Sequence, residues 1–221
     1  MEKPEITAEK VVTVLDQRFV KVYDIQYREG KHYYDASRRP KEALMCLADA
    51  QTYSQQLPDA VSCVVILEVP GEEPKLLLQN EFRYPAGQFL LSVPAGLIDP
   101  EDKKRPIPEV FYATASREMK EETGLTLTEK DTLRVINPFL FSTPGMTDES
   151  NALVEVVIRS FDPKELSQDG AEGSECFDGF VMLTKADAKR IFRQGMDDQG
   201  IFYSVYTWAA LSYFIGEMWK D

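Results

Sequence analysis

The feature that most constrains this chain is a helix predicted over residues 108–123. Phe111, Ala115 and Met119 recur every four positions, which gives the helix an apolar stripe to bury. A proline suits its first turn, and Gly124, directly after it, is typical of a helix end. The chain must therefore fold so that this helix packs against a core along that stripe.

The same helix carries three carboxylates close together. At about 100° per residue, Glu118, Glu121 and Glu122 fall within roughly a third of the helix circumference. Like charges at this spacing repel one another, and a divalent cation that prefers oxygen ligands, Mg²⁺ or Mn²⁺, removes the repulsion. Taken alone, however, the pattern favours a solvated acidic face over a metal site.

The residues around these glutamates reverse that preference. Glu109 is followed by seven residues and then by R-E-M-K-E-E-T-G-L, which ends at Leu125. This segment resembles the Nudix box, G-x5-E-x7-R-E-U-x-E-E-x-G-U with U aliphatic, at every fixed position of its second half. The first half departs from the pattern, because Lys103 stands where the box glycine belongs. The candidate glycine is Gly96 in V-P-A-G-L-I-D, which requires a seven-residue insertion within 100–108 that costs little in a surface loop.

The resemblance to the Nudix family implies roles for particular residues. The metal ligands that it implies are the carbonyl of Ala95 and the carboxylates of Glu118, Glu121 and Glu122. The structural box positions that it implies are Gly96, Glu109 and Gly124. Arg117 and Glu122 are catalytic residues by the same resemblance, and the arginine fork, with Glu109, would hold helix and loop together. The implied cofactor is Mg²⁺, with Mn²⁺ possible, at two or three ions per site.

The general base is expected on a loop downstream of the box. In the ADP-ribose pyrophosphatase branch of the family it lies in a motif like S-P-G-x-[ST]-x-E, and residues 142–149 are S-T-P-G-M-T-D-E. Glu149 is therefore the candidate base, with Asp148 and a box glutamate as fallbacks. A simple turn explains the proline and glycine of this loop equally well. The acids within 170–175 receive no role.

Other segments also resemble the ADP-ribose branch. The sequence E-F-R-Y-P ahead of P-A-G-L-I-D is similar to its Q-[FY]-R and P-A-G layout, which implies that Arg83 contacts the diphosphate or the terminal ribose. The resemblance further implies that Phe19 and Tyr34 stack on adenine in a homodimer formed through the N-terminal strands. It makes Arg39 a second substrate-binding arginine. Ordinary strand packing explains the two aromatic residues at least as well.

The remaining pattern predicts a mixed α/β chain. The predicted elements are a β-ribbon over 11–37, a helix over 41–50, strands over 60–69, 75–83, 89–93, 131–140, 151–159 and 177–183, and helices over 185–194 and 204–219. By resemblance this is the Nudix α/β/α sandwich with a mixed β-sheet and an N-terminal β-strand appendage. We expect residues 1–57 to form an N-terminal β-ribbon and dimerisation segment and residues 58–221 the hydrolase domain.

Composition disfavours several other classes of protein. The 37 acidic residues outnumber the 25 basic ones and give a formal charge of −12, which opposes sequence-independent nucleic-acid binding. Three scattered cysteines without a C-x-x-C pair disfavour a disulfide framework and a zinc site. No stretch is apolar enough for a leader or a membrane span, so a cytoplasmic protein is expected. The single histidine, His32, leaves little material for Ser–His or Cys–His catalysis.

Together these features predict a Mg²⁺-dependent pyrophosphohydrolase that cleaves ADP-ribose, or a related nucleoside diphosphate sugar, to AMP and a sugar phosphate. Two alternatives stay open. One is a Nudix hydrolase for another nucleotide, such as a GDP-sugar or a dinucleoside polyphosphate. The other is a catalytically silent nucleotide-binding module, which the retained box acids disfavour.

Overall fold

The structure is a computed structural model that describes residues 3–171 and 173–220. The chain divides into two compact units. Unit 1 comprises Met1–Asp59 and Phe139–Asn151, and unit 2 comprises Ala60–Pro138 and Ala152–Asp221. The predicted boundary after residue 57 lies close to the first break, but no sequence signal indicated that 139–151 joins unit 1. The assignment of separate domains stays a prediction.

Unit 1 contains an antiparallel three-stranded sheet. Its strands, in spatial order, are β1 (Val11–Asp16), β2 (Lys21–Arg28) and β3 (Lys31–Ser37). This arrangement confirms the predicted ribbon. Gly30 turns the chain between β2 and β3 in the left-handed conformation, with φ of 63°, which a residue with a side chain rarely adopts. A small core forms on the sheet from Val11, Tyr23, Ile25 and Leu44.

The prediction of a helix over residues 41–50 is wrong. The chain there forms two short 3₁₀ turns, Lys41–Ala43 and Met45–Leu47, before a short helix, α1 (Ala50–Gln55). Leu44 between the turns is extended and buried in the core of unit 1. The amide of Met45 donates to Oδ2 of Asp148 at 3.2 Å instead of to a helical carbonyl. Tertiary contacts therefore override the local helix propensity.

Seven strands of the described residues form the second sheet. They are β4 (Ala60–Leu67), β5 (Lys75–Arg83), β6 (Gln88–Ser92), β7 (Ala95–Leu97), β8 (Thr132–Phe141), β9 (Ser150–Ile158) and β10 (Phe177–Leu183). The spatial order is β10-β5-β4-β9-β8, and β6 pairs with β5 while β7 pairs with β4. Every strand except β7 corresponds to a predicted one. Three residues are too few to show the alternation by which a strand is recognised.

In the part of the chain that the structure describes, three longer helices complete the fold: α2 (Glu109–Thr123), α3 (Lys185–Gln194) and α4 (Val205–Ile215). All eight residues of β4 are buried, and both α2 and α4 contact this strand, so helices and sheet form the expected mixed α/β arrangement. The C-terminal helix ends at residue 215 instead of 219, and a 3₁₀ turn, Met218–Lys220, follows. Among the described residues, no helix is long and apolar enough to cross a membrane.

Candidate active site on helix α2

Two of the three predicted metal-binding glutamates lie inside the protein. Glu118 and Glu122 are 5% and 3% exposed, whereas Glu121 is half-buried. The same face of α2 buries its predicted apolar stripe, and the helix ends at Gly124 with φ of 76°, as expected. Burying a charged group is unfavourable unless the group is paired. The interpretation of this face as a merely solvated one is therefore excluded for Glu118 and Glu122.

Arg117 gathers the carboxylates that surround it. Its Nη1 atom lies 2.7 Å from Oε1 of Glu118 and donates to Oε2 of Glu121 at 2.9 Å. Its Nε atom lies 3.3 Å from Oδ2 of Asp99, and Nη2 donates to the carbonyl of Leu97 at 2.8 Å. The guanidinium therefore ties α2 to the segment that precedes the inserted loop, which is the supporting position expected for it.

Glu109 occupies a different environment from the one that the box pattern implies. It is the first residue of α2, and it is exposed. The carboxylates that Arg117 contacts among the described residues are those of Asp99, Asp102, Glu118 and Glu121. Asp102 lies in the 3₁₀ turn of the inserted loop. An acid of the insertion thus stands near the arginine where Glu109 was expected.

Gly96 and Ala95 lie directly against the acidic side of α2. A Cβ atom built on Gly96 would lie 1.8 Å from Oε1 of Glu118, so a side chain there would displace that carboxylate. The amide of Ala95 donates to Oε2 of Glu122 at 3.0 Å. Both residues belong to β7, which pairs with β4. The seven-residue insertion thus leaves the lead-in glycine in contact with the helix.

Burial raises the pKa of both inner glutamates. For Glu118 the loss of hydration raises the pKa to about 7, although the charge of Arg117 opposes the shift. For Glu122 burial raises the pKa to about 8, against hydrogen bonds from the Ala95 amide and from Nε2 of Gln79 at 2.8 Å. Near neutral pH these carboxyl groups retain protons unless a cation takes the place of the protons.

The chemistry of these groups fits a hard divalent cation. The donors are carboxylate and carbonyl oxygens, which Mg²⁺ and Mn²⁺ prefer. Burial and the charges of Glu118 and Glu81 all disfavour the ionised form of Glu122, and a bound cation would offset them. Within the part of the chain that the structure describes, no three acidic, cysteine or histidine side chains are arranged as a ready-made metal cluster. Glu118 and Glu121 instead contact the guanidinium of Arg117.

Two further acids close to α2 were not selected from the sequence. Glu81 on β5 is 8% exposed, and its charge contributes to the raised pKa of Glu122. Glu175 belongs to the loop whose acids received no role, yet its charge helps to raise the pKa of Glu118 and of Glu81. The glutamate in place of the glutamine of Q-[FY]-R was a visible signal for Glu81. No signal marked Glu175, because its position depends on how a loop folds.

Arg83, the predicted substrate arginine, is half exposed in unit 2. Its Nη2 atom lies 2.5 Å from Oε2 of Glu81, and 48% of the arginine side chain is accessible. Burial raises the pKa of Glu81, and the charge of Arg83 opposes that shift. Glu81 therefore fixes one edge of the guanidinium fork, and much of the rest faces solvent.

The two predicted stacking residues lie on the surface of unit 1. Phe19 is 69% exposed and Tyr34 is 59% exposed. The guanidinium of Arg18 lies 4.9 Å from the centre of the Phe19 ring. Packing within the ribbon therefore does not account for these two aromatic residues, and their contact with adenine stays a prediction.

Arg39 is buried in unit 1 and engaged on both sides of its guanidinium. Nη2 lies 2.8 Å from Oδ2 of Asp59, and Nη1 donates to the carbonyl of Asp148 at 2.9 Å. Asp148, a fallback base, also accepts a hydrogen bond of 2.6 Å from Oγ of Ser37. Through these contacts Arg39 and Asp148 stabilise unit 1. A contact of Arg39 with substrate stays a prediction.

The loop that carries Glu149 is attached to β3 within unit 1. Nε of Arg38 donates to Oε1 of Glu149 at 3.0 Å. The hydroxyl of Tyr33 donates to the carbonyl of Gly145 at 2.6 Å. The backbone amide of Ala36 donates to the carbonyl of Met146 at 3.0 Å. The candidate base thus lies in unit 1, and the box glutamates belong to unit 2.

Comparison with known proteins identifies the family. The family model of the NUDIX domain matches residues 56–198, which is more than half of the chain. The chain therefore belongs to the Nudix family.

Individual relatives are similar over part of the chain. An ADP-sugar pyrophosphatase of Mus musculus is 30% identical over 129 residues, which cover 58% of this chain and 54% of that protein. An ADP-ribose pyrophosphatase of Saccharomyces cerevisiae is 33% identical over 101 residues, which cover 45% of this chain and 39% of that protein. The chain spans about half the length of the curated relatives that it matches.

A solved structure described as an ADP compounds hydrolase shares the fold. It superposes with a TM-score of 0.54 over 99% of this chain and 95% of its own, at 19% sequence identity. The match confirms the mixed α/β architecture expected from the sequence.

We predict that the metal-free protein loses thermal stability as the pH rises from 4.5 towards about 8. Because the pKa values of Glu118 and Glu122 lie at about 7 and about 8 in the folded protein, above their ordinary 4.5, the folded state binds more protons than the unfolded state in this window. The free energy of unfolding then falls as those protons leave. Melting curves in the presence of a chelator measure the effect.

Glu122→Gln is the matched variant, since its amide oxygen still accepts both hydrogen bonds but carries no charge. The fall in melting temperature should be shallower in this variant, and Mg²⁺ should stabilise the wild-type protein more at the alkaline end of the window. A wild-type melting temperature that rises through the window would contradict the assignment.

Proposed function

We propose that this chain is a Mg²⁺-dependent pyrophosphohydrolase that cleaves the diphosphate of ADP-ribose, or of a related nucleoside diphosphate sugar, to AMP and a sugar phosphate. The observation that carries the proposal is the buried pair Glu118 and Glu122 on α2, with Arg117 and Gly96 directly against it. The names of the mouse and yeast relatives, an ADP-sugar and an ADP-ribose pyrophosphatase, support this substrate class.

The cofactor proposal follows from the donors at this position. Glu118, Glu121, Glu122 and the carbonyl of Ala95 are the groups that would hold Mg²⁺, or Mn²⁺, at two or three ions per site. Bound cations would neutralise the diphosphate, polarise the attacked phosphoryl group and lower the pKa of a water molecule. Arg117 holds parts of the protein in place: its guanidinium contacts the carboxylates of Glu121 and Asp99 and the carbonyl of Leu97.

Arg83 is the proposed contact for the substrate's diphosphate. A planar guanidinium donates two parallel hydrogen bonds to a phosphate, and Glu81 already fixes its orientation from one side. Water attacks one phosphorus atom, the bridging P–O bond breaks, and the leaving phosphate carries the electron pair. The base that accepts the proton of the attacking water completes the reaction.

Two glutamates compete for the function of general base. Glu149 is supported by its loop motif, and its partner Arg38 is half exposed and can be displaced. Glu175 is supported by its position, because its charge acts on Glu118 of the box. A general base must come within hydrogen-bonding reach of the water, by a direct contact or through loop closure.

The N-terminal sheet is proposed to form a homodimer interface. Its exposed apolar side chains include Val12, Val14, Leu15, Phe19, Val20, Tyr33 and Tyr34. Such a patch on a small sheet is typical of a protein–protein contact. Sedimentation equilibrium should give twice the chain mass for the wild type and a shift to the monomer for Phe19→Asp. A wild-type monomer at micromolar concentration would refute the interface.

The three free cysteines also suit a reducing, cytoplasmic setting.

The substrate proposal is tested by steady-state hydrolysis of a nucleotide panel in Mg²⁺. The panel contains ADP-ribose, ADP-glucose, GDP-mannose, diadenosine polyphosphates, NADH and deoxynucleoside triphosphates. We expect the highest kcat/KM for ADP-ribose, with AMP as product, and a loss of about 10²–10³-fold in Glu122→Gln. A higher kcat/KM for another compound would replace the substrate, and binding without turnover would indicate a silent module.

The base is located with Glu149→Gln and Glu175→Gln in the same assay. Loss of a general base lowers kcat by about 10²–10⁴-fold and removes the acidic limb of the pH–rate profile. Glu129→Gln, a change of an exposed acid, is the matched control and should leave kcat unchanged. A retained acidic limb in both variants would exclude both glutamates and leave a box acid as the base.

A further inference from the structure

Gln79 is a polar residue in an otherwise apolar run. It lies on β5 directly after Leu76, Leu77 and Leu78, and all four residues are 0% exposed. At Gln79 the strand pairs with Ser92 of β6 on one side and with Phe180 of β10 on the other, so its backbone lies in the interior of the sheet. An aliphatic side chain would fit this environment without loss of hydration. The primary amide therefore needs a reason other than packing.

Only part of the hydrogen-bonding capacity of this amide is used. Among the described residues, Oε1 of Gln79 is buried and has no hydrogen-bond partner. An unpartnered buried oxygen lowers stability, and leucine or methionine at this position would not carry that penalty. This end of the side chain is thus unfavourable for the fold, as is common for residues that serve a site.

The other end of the amide makes a directed contact with α2. Nε2 of Gln79 donates to Oε2 of Glu122 at 2.8 Å, and the amide of Ala95 donates to the same oxygen at 3.0 Å. Two N–H donors on one oxygen fix both the side-chain rotamer and the identity of the accepting oxygen. The opposite oxygen, Oε1 of Glu122, is then the one left for another partner.

We propose that Gln79 is a positioning residue for the cation site: its Nε2 holds Oε2 of Glu122 so that Oε1 is presented to a divalent cation. The inference rests on the proposed function and adds a residue of strand β5 that the box pattern does not contain. Groups that orient a metal ligand in this way change metal affinity by about 10- to 100-fold when they are removed.

The test is calorimetric titration of the substrate-free protein with Mn²⁺ alone, combined with melting curves in a chelator. Gln79→Met keeps the length of the side chain and removes the donor, and Gln79→Leu is a second variant with a different shape. We expect Mn²⁺ to bind at least about tenfold more weakly to both variants. Because the buried Oε2 of Glu122 loses one of its two donors, we also expect a lower melting temperature in chelator, so the affinity for Mn²⁺ is the deciding readout. A residue with a merely structural role would lower the melting temperature and leave the affinity for Mn²⁺ unchanged.

Thr207→Val is the matched control. Thr207 is 0% exposed and donates to the carbonyl of Leu91 at 2.8 Å, so this variant also loses a buried hydrogen bond in unit 2. Its affinity for Mn²⁺ should equal that of the wild type. Wild-type affinity in either folded Gln79 variant, or equal weakening in Thr207→Val, would overturn the inference alone. A wild-type protein that does not bind Mn²⁺ would overturn the proposed function as well.

Discussion

The structure depends on how two carboxyl groups are kept inside the protein one turn apart on α2. Glu118 and Glu122 lose their hydration and lie close enough to repel, so their positions must be fixed by hydrogen bonds and opposite charge. Arg117, the Ala95 amide and Gln79 supply those contacts from α2, β7 and β5. Because the apolar stripe on the same face of α2 is packed in the core, the helix cannot rotate to release the acids to water. The fold thus maintains an arrangement that disfavours its own metal-free state at neutral pH.

Local signals made much of the fold predictable. The spacing of apolar residues on α2, the glycine after it, the alternation in the N-terminal ribbon and the runs of Val, Ile and Leu in the later strands are all properties of short segments. The structure confirms the elements that they predicted. The helix predicted over 41–50 failed because Leu44 is buried in a core built by distant strands and Met45 bonds to Asp148. β7 escaped prediction because a three-residue strand is defined by its partner β4, not by its own pattern.

The site shows the same difference between features that a short segment determines and features that tertiary contacts determine. The box glutamates were predictable because a fixed spacing on one helix places them together. Gln79 and Glu175 were not, because a buried amide on β5 and an acid in a loop acquire meaning only when tertiary structure brings them to α2. For Arg39 the resemblance to the ADP-ribose branch implied a substrate contact, and the sequence did not show that Asp59 and Asp148 contact its guanidinium in unit 1. Residue type indicates the chemistry that is available, and burial and partners decide how it is used.

The central claim is that the buried acidic side of α2 is a divalent-cation site. Anomalous diffraction from crystals of the wild-type protein soaked in Mn²⁺ tests it most directly. The account predicts an anomalous peak whose distance from carboxylate oxygens of Glu118 and Glu122 is about 2.0–2.3 Å, as for a metal ion and its ligands, with Arg117 displaced from Glu118. Strong peaks only elsewhere on the protein, with the Arg117–Glu118 contact intact, would contradict the claim.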